Sequence, residues 1–166
     1  PDDPAPFGPV LNQFAGAIII AIAVAVFNGA GIRIILVSAL LSAVTLAGYT
    51  GSIALNLHPA AASAVGALLA SFLGMLIARN LHVPSVAVTT AAIVPLVPGV
   101  AVFQGLLEMV HATGTSTGVL VAGGSLIDAA VIGIGLASGA SLGLYLGTPV
   151  RATLASVAKT RARVRR

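Results

Sequence analysis

The sequence predicts an all-α, polytopic membrane protein with five transmembrane segments, the fourth of them broken at a P-x-x-P-G motif. Three observations carry this prediction. The 166 residues are 58% hydrophobic and 7% charged, with a mean hydropathy of +1.09, whereas charged residues make up about a quarter of an ordinary soluble domain. Long apolar stretches recur between short polar or glycine-containing interruptions, and about 20 such residues suffice to cross a bilayer as a helix. Within the fourth stretch, Pro95, Pro98 and Gly99 stand in Ala92-Ile93-Val94-Pro95-Leu96-Val97-Pro98-Gly99-Val100, otherwise apolar enough to lie in lipid.

Residues 1–9 hold four prolines, a glycine, Asp2 and Asp3, a composition that favours extended, solvated backbone. They are expected to form an extracytoplasmic linker ahead of a five-span domain over residues 10–150. The chain starts with proline and no basic stretch precedes the first apolar run. We therefore read no signal peptide and expect part of a longer protein. The first span, Val10 to Phe27, has Asn12 and Gln13 as its only strongly polar residues, and Asn28-Gly29-Ala30-Gly31 closes it as a turn. The second runs from about Ile34 to Leu57, carries Thr45, Gly48, Tyr49 and Thr50, and ends at His58-Pro59. The third, Ala60 to Ile77, places Ala62, Gly66, Ala70, Gly74 and Ala78 at steps of four, a face that lets another backbone approach closely. Arg79-Asn80 is expected to end it.

The broken fourth segment occupies Val83 to Val110, with Pro84 suited to a first helical turn. Pro95 and Pro98 have no N–H to give the carbonyls of Ala91 and Val94. In lipid such backbone persists only where protein buries it or where it lines a wet cavity. Discontinuous helices of this kind build substrate sites in secondary transporters; the alternative is a helix merely kinked by proline. His111 to Gly118 reads as a polar loop. The fifth span, about Leu126 to Leu146, repeats the small-residue pattern with Gly135, Gly139, Gly143 and Gly147. Residues 151–166 then hold six of the eight basic residues, Arg151, Lys159, Arg161, Arg163, Arg165 and Arg166. Arg33, Arg79 and this tail follow the first, third and fifth spans, so the positive-inside rule puts the N-terminus outside and the C-terminus in the cytoplasm. Beside a membrane helix, six such charges point to anionic lipid rather than nucleic acid.

Few residues suit chemistry. There is no cysteine, no His/Asp/Glu cluster has metal-ligand spacing, no cofactor motif occurs and no nucleophile stands with a base, so the chain does not read as an enzyme or a metal site. Glu108 and Asp128 are the acids within or near the spans, where acids mark proton or substrate coupling. Gln104, Glu108 and His111 fall at i, i+4 and i+7, a stripe that either lines an outward path or forms an interfacial polar face. Ser125-Leu126-Ile127-Asp128 fits a helix-capping pattern, the competing reading of Asp128. His58 and His82 read as solvated residues at span ends.

At Val26-Phe27-Asn28, Pro84-Ser85, Ile93-Val94-Pro95-Leu96-Val97-Pro98-Gly99 and Gly147-Thr148-Pro149-Val150-Arg151, the sequence resembles the C-terminal membrane half of the bacterial threonine/serine exporters, across Val10 to Val150. The resemblance implies efflux of threonine and serine across the bacterial cytoplasmic membrane, driven by the proton motive force. It also implies a partner half of five spans with a cytoplasmic domain, fused or separate. A related two-subunit arrangement exports succinate, which leaves amino and dicarboxylic acids both open. Pro95, Pro98 and Gly99 are the residues that match the family motif. If they build the substrate site, the Ala91 and Val94 carbonyls suit an ammonium, N–H groups near Gly99 suit a carboxylate, and Thr89 and Thr90 suit a hydroxyl. Gln104, Glu108, His111 and Asp128 then serve a path for protons or substrate. A non-transporting assembly subunit, whose small-residue faces hold a partner or a homo-oligomer, and a passive channel are the competing classes.

Overall fold

The computed structural model describes residues 10–81, 85–111 and 116–164. The expected linker, His82, Pro84, Arg165 and Arg166 lie outside the described residues, as does 112–115 of the expected polar loop. Among the described residues the backbone is helical with no strand: α1 (Val10–Phe27), α2 (Ile32–Ala54), α3 (Pro59–Leu81), α4 (Ser85–Ile93), a 3-10 turn (Val94–Leu96), α5 (Gly99–His111) and α6 (Ser116–Val164). Three of these helices contain segments long and apolar enough to cross a membrane, Ile32–Ala54, Pro59–Ala78 and Gly123–Val150.

Local chemistry sets the helix ends. Gly29 closes α1 at φ +69°, with the Ala30 N–H donating to the Ala25 carbonyl and the Gly29 N–H to that of Val26. Asn56, at φ +60°, closes α2 the same way through Leu57 to Ser52 and Asn56 to Ile53. This paired arrangement needs a left-handed residue, which glycine and asparagine supply at least cost. It stops α2 at Ala54, three residues before the expected Leu57. His58 is exposed, as its solvated reading requires, but its ring Nδ1 also accepts from the Ala60 N–H at 3.3 Å at the start of α3.

Two expected boundaries give way. Arg79 and Asn80 continue α3 instead of ending it. The last helix starts at Ser116, ten residues before the expected Leu126, and runs through Pro149 to Val164, so the backbone of 151–164 is helical. Ser125 is therefore well inside α6 and caps nothing. Packing overrides the local signal there: a Cβ on Gly105 of α5 would come 3.0 Å from Leu126 and 3.3 Å from Ser125, so α5 presses directly on this stretch.

α3 is the centre of the bundle, with small residues on two faces. One meets α6 so closely that a Cβ on Gly135 or Gly139 would collide with the carbonyl oxygens of Ala60 and Ala64, and one on Gly143 would sit 2.5 Å from that of Leu68. The other meets α2 and α4. A Cβ on Gly66 would be 2.8 Å from the Thr45 carbonyl, and one on Gly74 would be 2.8 Å from the Thr89 hydroxyl. Both small-residue faces read from the sequence are thus used inside this chain, which removes the ground for treating them as surfaces reserved for a partner.

The core is correspondingly small: Ala62, Ala67, Ala70 and Ala92 are fully buried, and Leu41, Ala70, Val88 and Ala92 form its contiguous cluster. Large apolar side chains face outward, with Phe27 91%, Val110 77% and Tyr145 76% exposed. Lipid is as apolar as a leucine core, so helix association there rests on close van der Waals approach and hydrogen bonds rather than on hiding large side chains. One such bond ties α2 to α1, from the Ser42 hydroxyl to the Ala17 carbonyl at 3.0 Å.

Candidate functional site

The chain leaves the helical path between α4 and α5 for a reason visible in its residue types. A residue before proline is pushed out of the helical region, and Val97, before Pro98, is extended at φ −64°, ψ 128°. Pro98 then opens α5, its carbonyl accepting from the Val102 N–H at 3.0 Å. The expected freeing of the Val94 carbonyl does not occur. The tighter 3-10 turn brings the Val97 N–H to it at 3.0 Å. The Gly99 N–H is also engaged, donating to the Val97 carbonyl at 2.7 Å. Val100 and Ala101 remain as the first-turn N–H groups of α5 without an intrahelical acceptor. Leu96 seats the turn against α3, its Cδ1 3.0 Å from where a Cβ on Gly66 would stand.

Pro95, Leu96, Val97 and Pro98 form one wall of a cavity of about 440 Å³, within the range of small-molecule sites. α1 supplies a second wall from Gln13, Gly16, Ala17 and Ile20, at i, i+3, i+4 and i+7 and so on one helix face. A Cβ on Gly16 would meet nothing within 4 Å, which leaves this wall open to the lumen. Leu46 and Tyr49 of α2, Ser63 of α3 and Ile132 of α6 complete the lining.

Of the other residues singled out in the sequence, Thr89 is buried against Gly74 of α3, Ala91 is 1% exposed, and Thr90 is exposed. None of the three lines this cavity. Gln104, Glu108, His111 and Asp128 are all exposed. The Ser125 hydroxyl donates to Glu108 Oε2 at 3.1 Å, and His111 Nδ1 lies 2.8 Å from the Leu107 carbonyl. The Ser125–Glu108 bond joins α6 to α5 about 10 Å along α6 from Ile132, and Asp128 follows Ser125 by three residues, about 6 Å from Ile132 at 1.5 Å per residue. No group of three or more metal-ligating side chains occurs among the described residues.

A family model described as "Threonine/Serine exporter, ThrE" matches residues 13–145. The chain belongs to the threonine/serine exporter family. A probable threonine/serine exporter of Mycobacterium tuberculosis is 27% identical over 143 residues, which is 86% of this chain and 26% of that protein. The chain thus spans about a quarter of the length of the curated relative it matches. No solved structure matches it.

For an exporter-family chain the lining is informative in what it holds. Its described side chains include no carboxylate, ammonium or guanidinium, and the break residues in its wall, Pro95 to Pro98, lie between the C-terminal end of α4 and the N-terminal end of α5. Reasoning from the sequence missed Gln13, Tyr49 and Ser63 as lining residues. The signal that was present is the i, i+3, i+4, i+7 set on the first span, where a glutamine and a glycine share one face.

Proposed function

We propose that this chain is the membrane half of a secondary transporter that exports threonine and serine in exchange for protons. The observation that carries the reading is the cavity built on the Pro95–Pro98 break. α4 and α5 act as two half-helices of one crossing, about 13 Å and 20 Å long at 1.5 Å per residue, together enough for a hydrocarbon core of about 30 Å. With α1, α2, α3 and α6 this makes five crossings. The N-terminus lies outside the bacterial cytoplasmic membrane and the C-terminus inside, where Arg151, Lys159, Arg161, Arg163, Arg165 and Arg166 meet anionic headgroups. An opposed five-span half, fused or separate, supplies the other side of the substrate path.

In the cavity the substrate carboxylate turns toward the Val100 and Ala101 N–H groups and its ammonium toward the carbonyl end of α4. A dicarboxylate such as succinate fits less well, since the described lining offers no cation for a second carboxylate. The assembly-subunit reading loses its motive because both small-residue faces are occupied within the chain. Glu108, steadied by Ser125, carries the coupling proton, with Gln104, His111 and Asp128 along the same outer path.

The test is labelled threonine uptake by proteoliposomes holding this chain and its partner half, with and without an imposed proton gradient. Accumulation should need both halves and the gradient. Gly16→Leu should fill the cavity and cut the rate at least tenfold without loss of folded protein, because a Cβ at this position meets nothing within 4 Å and the side chain extends from a cavity-lining residue; transport at the wild-type rate would remove the cavity from the mechanism. Glu108→Gln should abolish gradient-driven accumulation while threonine counterflow at equal pH persists. If accumulation survives, another group carries the proton.

A further inference from the structure

We infer that Tyr49 is the residue by which the cavity selects a hydroxylated side chain over an apolar one of the same shape. The inference rests on the cavity being the substrate site. Three polar side chains line it, Gln13, Tyr49 and Ser63. Ser63 is 2% exposed and its hydroxyl is committed to its own helix, donating to the Pro59 carbonyl at 2.8 Å. Gln13 is already engaged within the protein. Tyr49 is half-buried, and its phenol makes no hydrogen bond among the described residues. The phenol can both donate and accept. It stands in a lining otherwise furnished by Ile20, Leu46, Leu96, Val97 and Ile132.

Position supports chemistry here. The neighbouring Gly48 brings α2 against α3 so closely that a Cβ there would come 2.7 Å from Leu69, so the backbone carrying Tyr49 is held by a packed contact rather than a loop. Apolar walls accept a methyl group whether or not a hydroxyl accompanies it, and an extra methylene-sized difference in such a pocket discriminates only modestly. A site that hydrogen-bonds a substrate hydroxyl rejects the analogue lacking it far more strongly. Threonine and valine have the same shape and differ by that hydroxyl. Tyr49 is the lining group whose donor and acceptor are both unspent, whereas Ser63 has spent its donor, and Thr89 and Thr90, which the sequence offered for this role, do not line the cavity.

The experiment compares threonine and valine transport by wild type, Tyr49→Phe and Gly16→Leu in proteoliposomes containing both halves. Wild type should favour threonine in kcat/KM by at least roughly tenfold, given the cost of an unmet polar partner. Tyr49→Phe should bring the ratio within about twofold by raising KM for threonine, with valine transport unchanged as the control for folding. A ratio unaltered by Tyr49→Phe, or a wild type that does not discriminate, overturns the assignment while leaving the cavity in place. Wild-type threonine transport in Gly16→Leu, or none in the wild type, overturns the cavity reading and this assignment with it.

Discussion

Gly139→Ala is expected to be the most damaging single methyl group that can be added to this protein. The added Cβ would fall on the Ala64 carbonyl oxygen, with the Ala64 carbonyl carbon 2.7 Å and Cα 2.8 Å away. These are backbone atoms that cannot rotate aside, so α3 and α6 must separate. Alanine regains about 1 kcal/mol of helix propensity over glycine, but overpacking of a tight interface costs about 1–3 kcal/mol or more, and here the whole glycine row loses its contact at once. The net loss should be about 2 kcal/mol, the upper end of that balance because the contact is with rigid backbone, read as lowered thermal stability in detergent. Gly133→Ala is the control, since its Cβ would meet nothing within 4 Å; it should be neutral or stabilising by up to about 1 kcal/mol. Gly135→Ala and Gly139→Ala together should destabilise by less than the sum, because separation forced by one substitution makes room for the other. Equal stability of Gly139→Ala and Gly133→Ala would mean that α3 and α6 do not meet along this row.

That row was legible as a pattern and illegible as a contact. Steps of four among Gly135, Gly139, Gly143 and Gly147, and among Ala62 to Ala78, follow from helix periodicity and residue size. Which neighbour each face meets does not, because in lipid the interior is no more apolar than the exterior and the usual inward signal is missing. The same reasoning explains the boundary of α6. Ser125 and Asp128 form a capping pattern within four residues, yet α5 packs on this stretch at Gly105, some twenty positions away, and the helix runs on through it. At the break the location was legible from Pro95, Pro98 and Gly99. The hydrogen bonding was not, because a 3-10 turn supplies the Val94 carbonyl with a donor three residues on, where helix geometry counts only the missing one at Pro98. Tyr49 carried no local mark at all; its place in the lining depends on how α1, α2 and the turn converge.

Pro95→Ala with Pro98→Ala should abolish threonine transport while leaving insertion and folding intact. Val97 decides this outcome. Its extended conformation is imposed by the following proline, and it is what separates α4 from α5 and sets Leu96 against Gly66. With alanine at both positions, residues 94–98 regain N–H donors and the helical region, and each proline removed from a helical path relieves about 3 kcal/mol. A continuous helix from Ser85 to His111 would withdraw the wall formed by residues 95–98 and rotate α5 relative to α6. It would also cover the helix ends proposed to meet the substrate's charges. Circular dichroism should show a small gain in helix, and threonine uptake should fall to the level of empty liposomes. The single substitutions separate the parts: Pro98→Ala should account for most of the loss because it releases Val97, whereas Pro95→Ala, inside a turn that already has its donor, should retain measurable transport. Wild-type uptake by the double variant would place the substrate elsewhere in the protein.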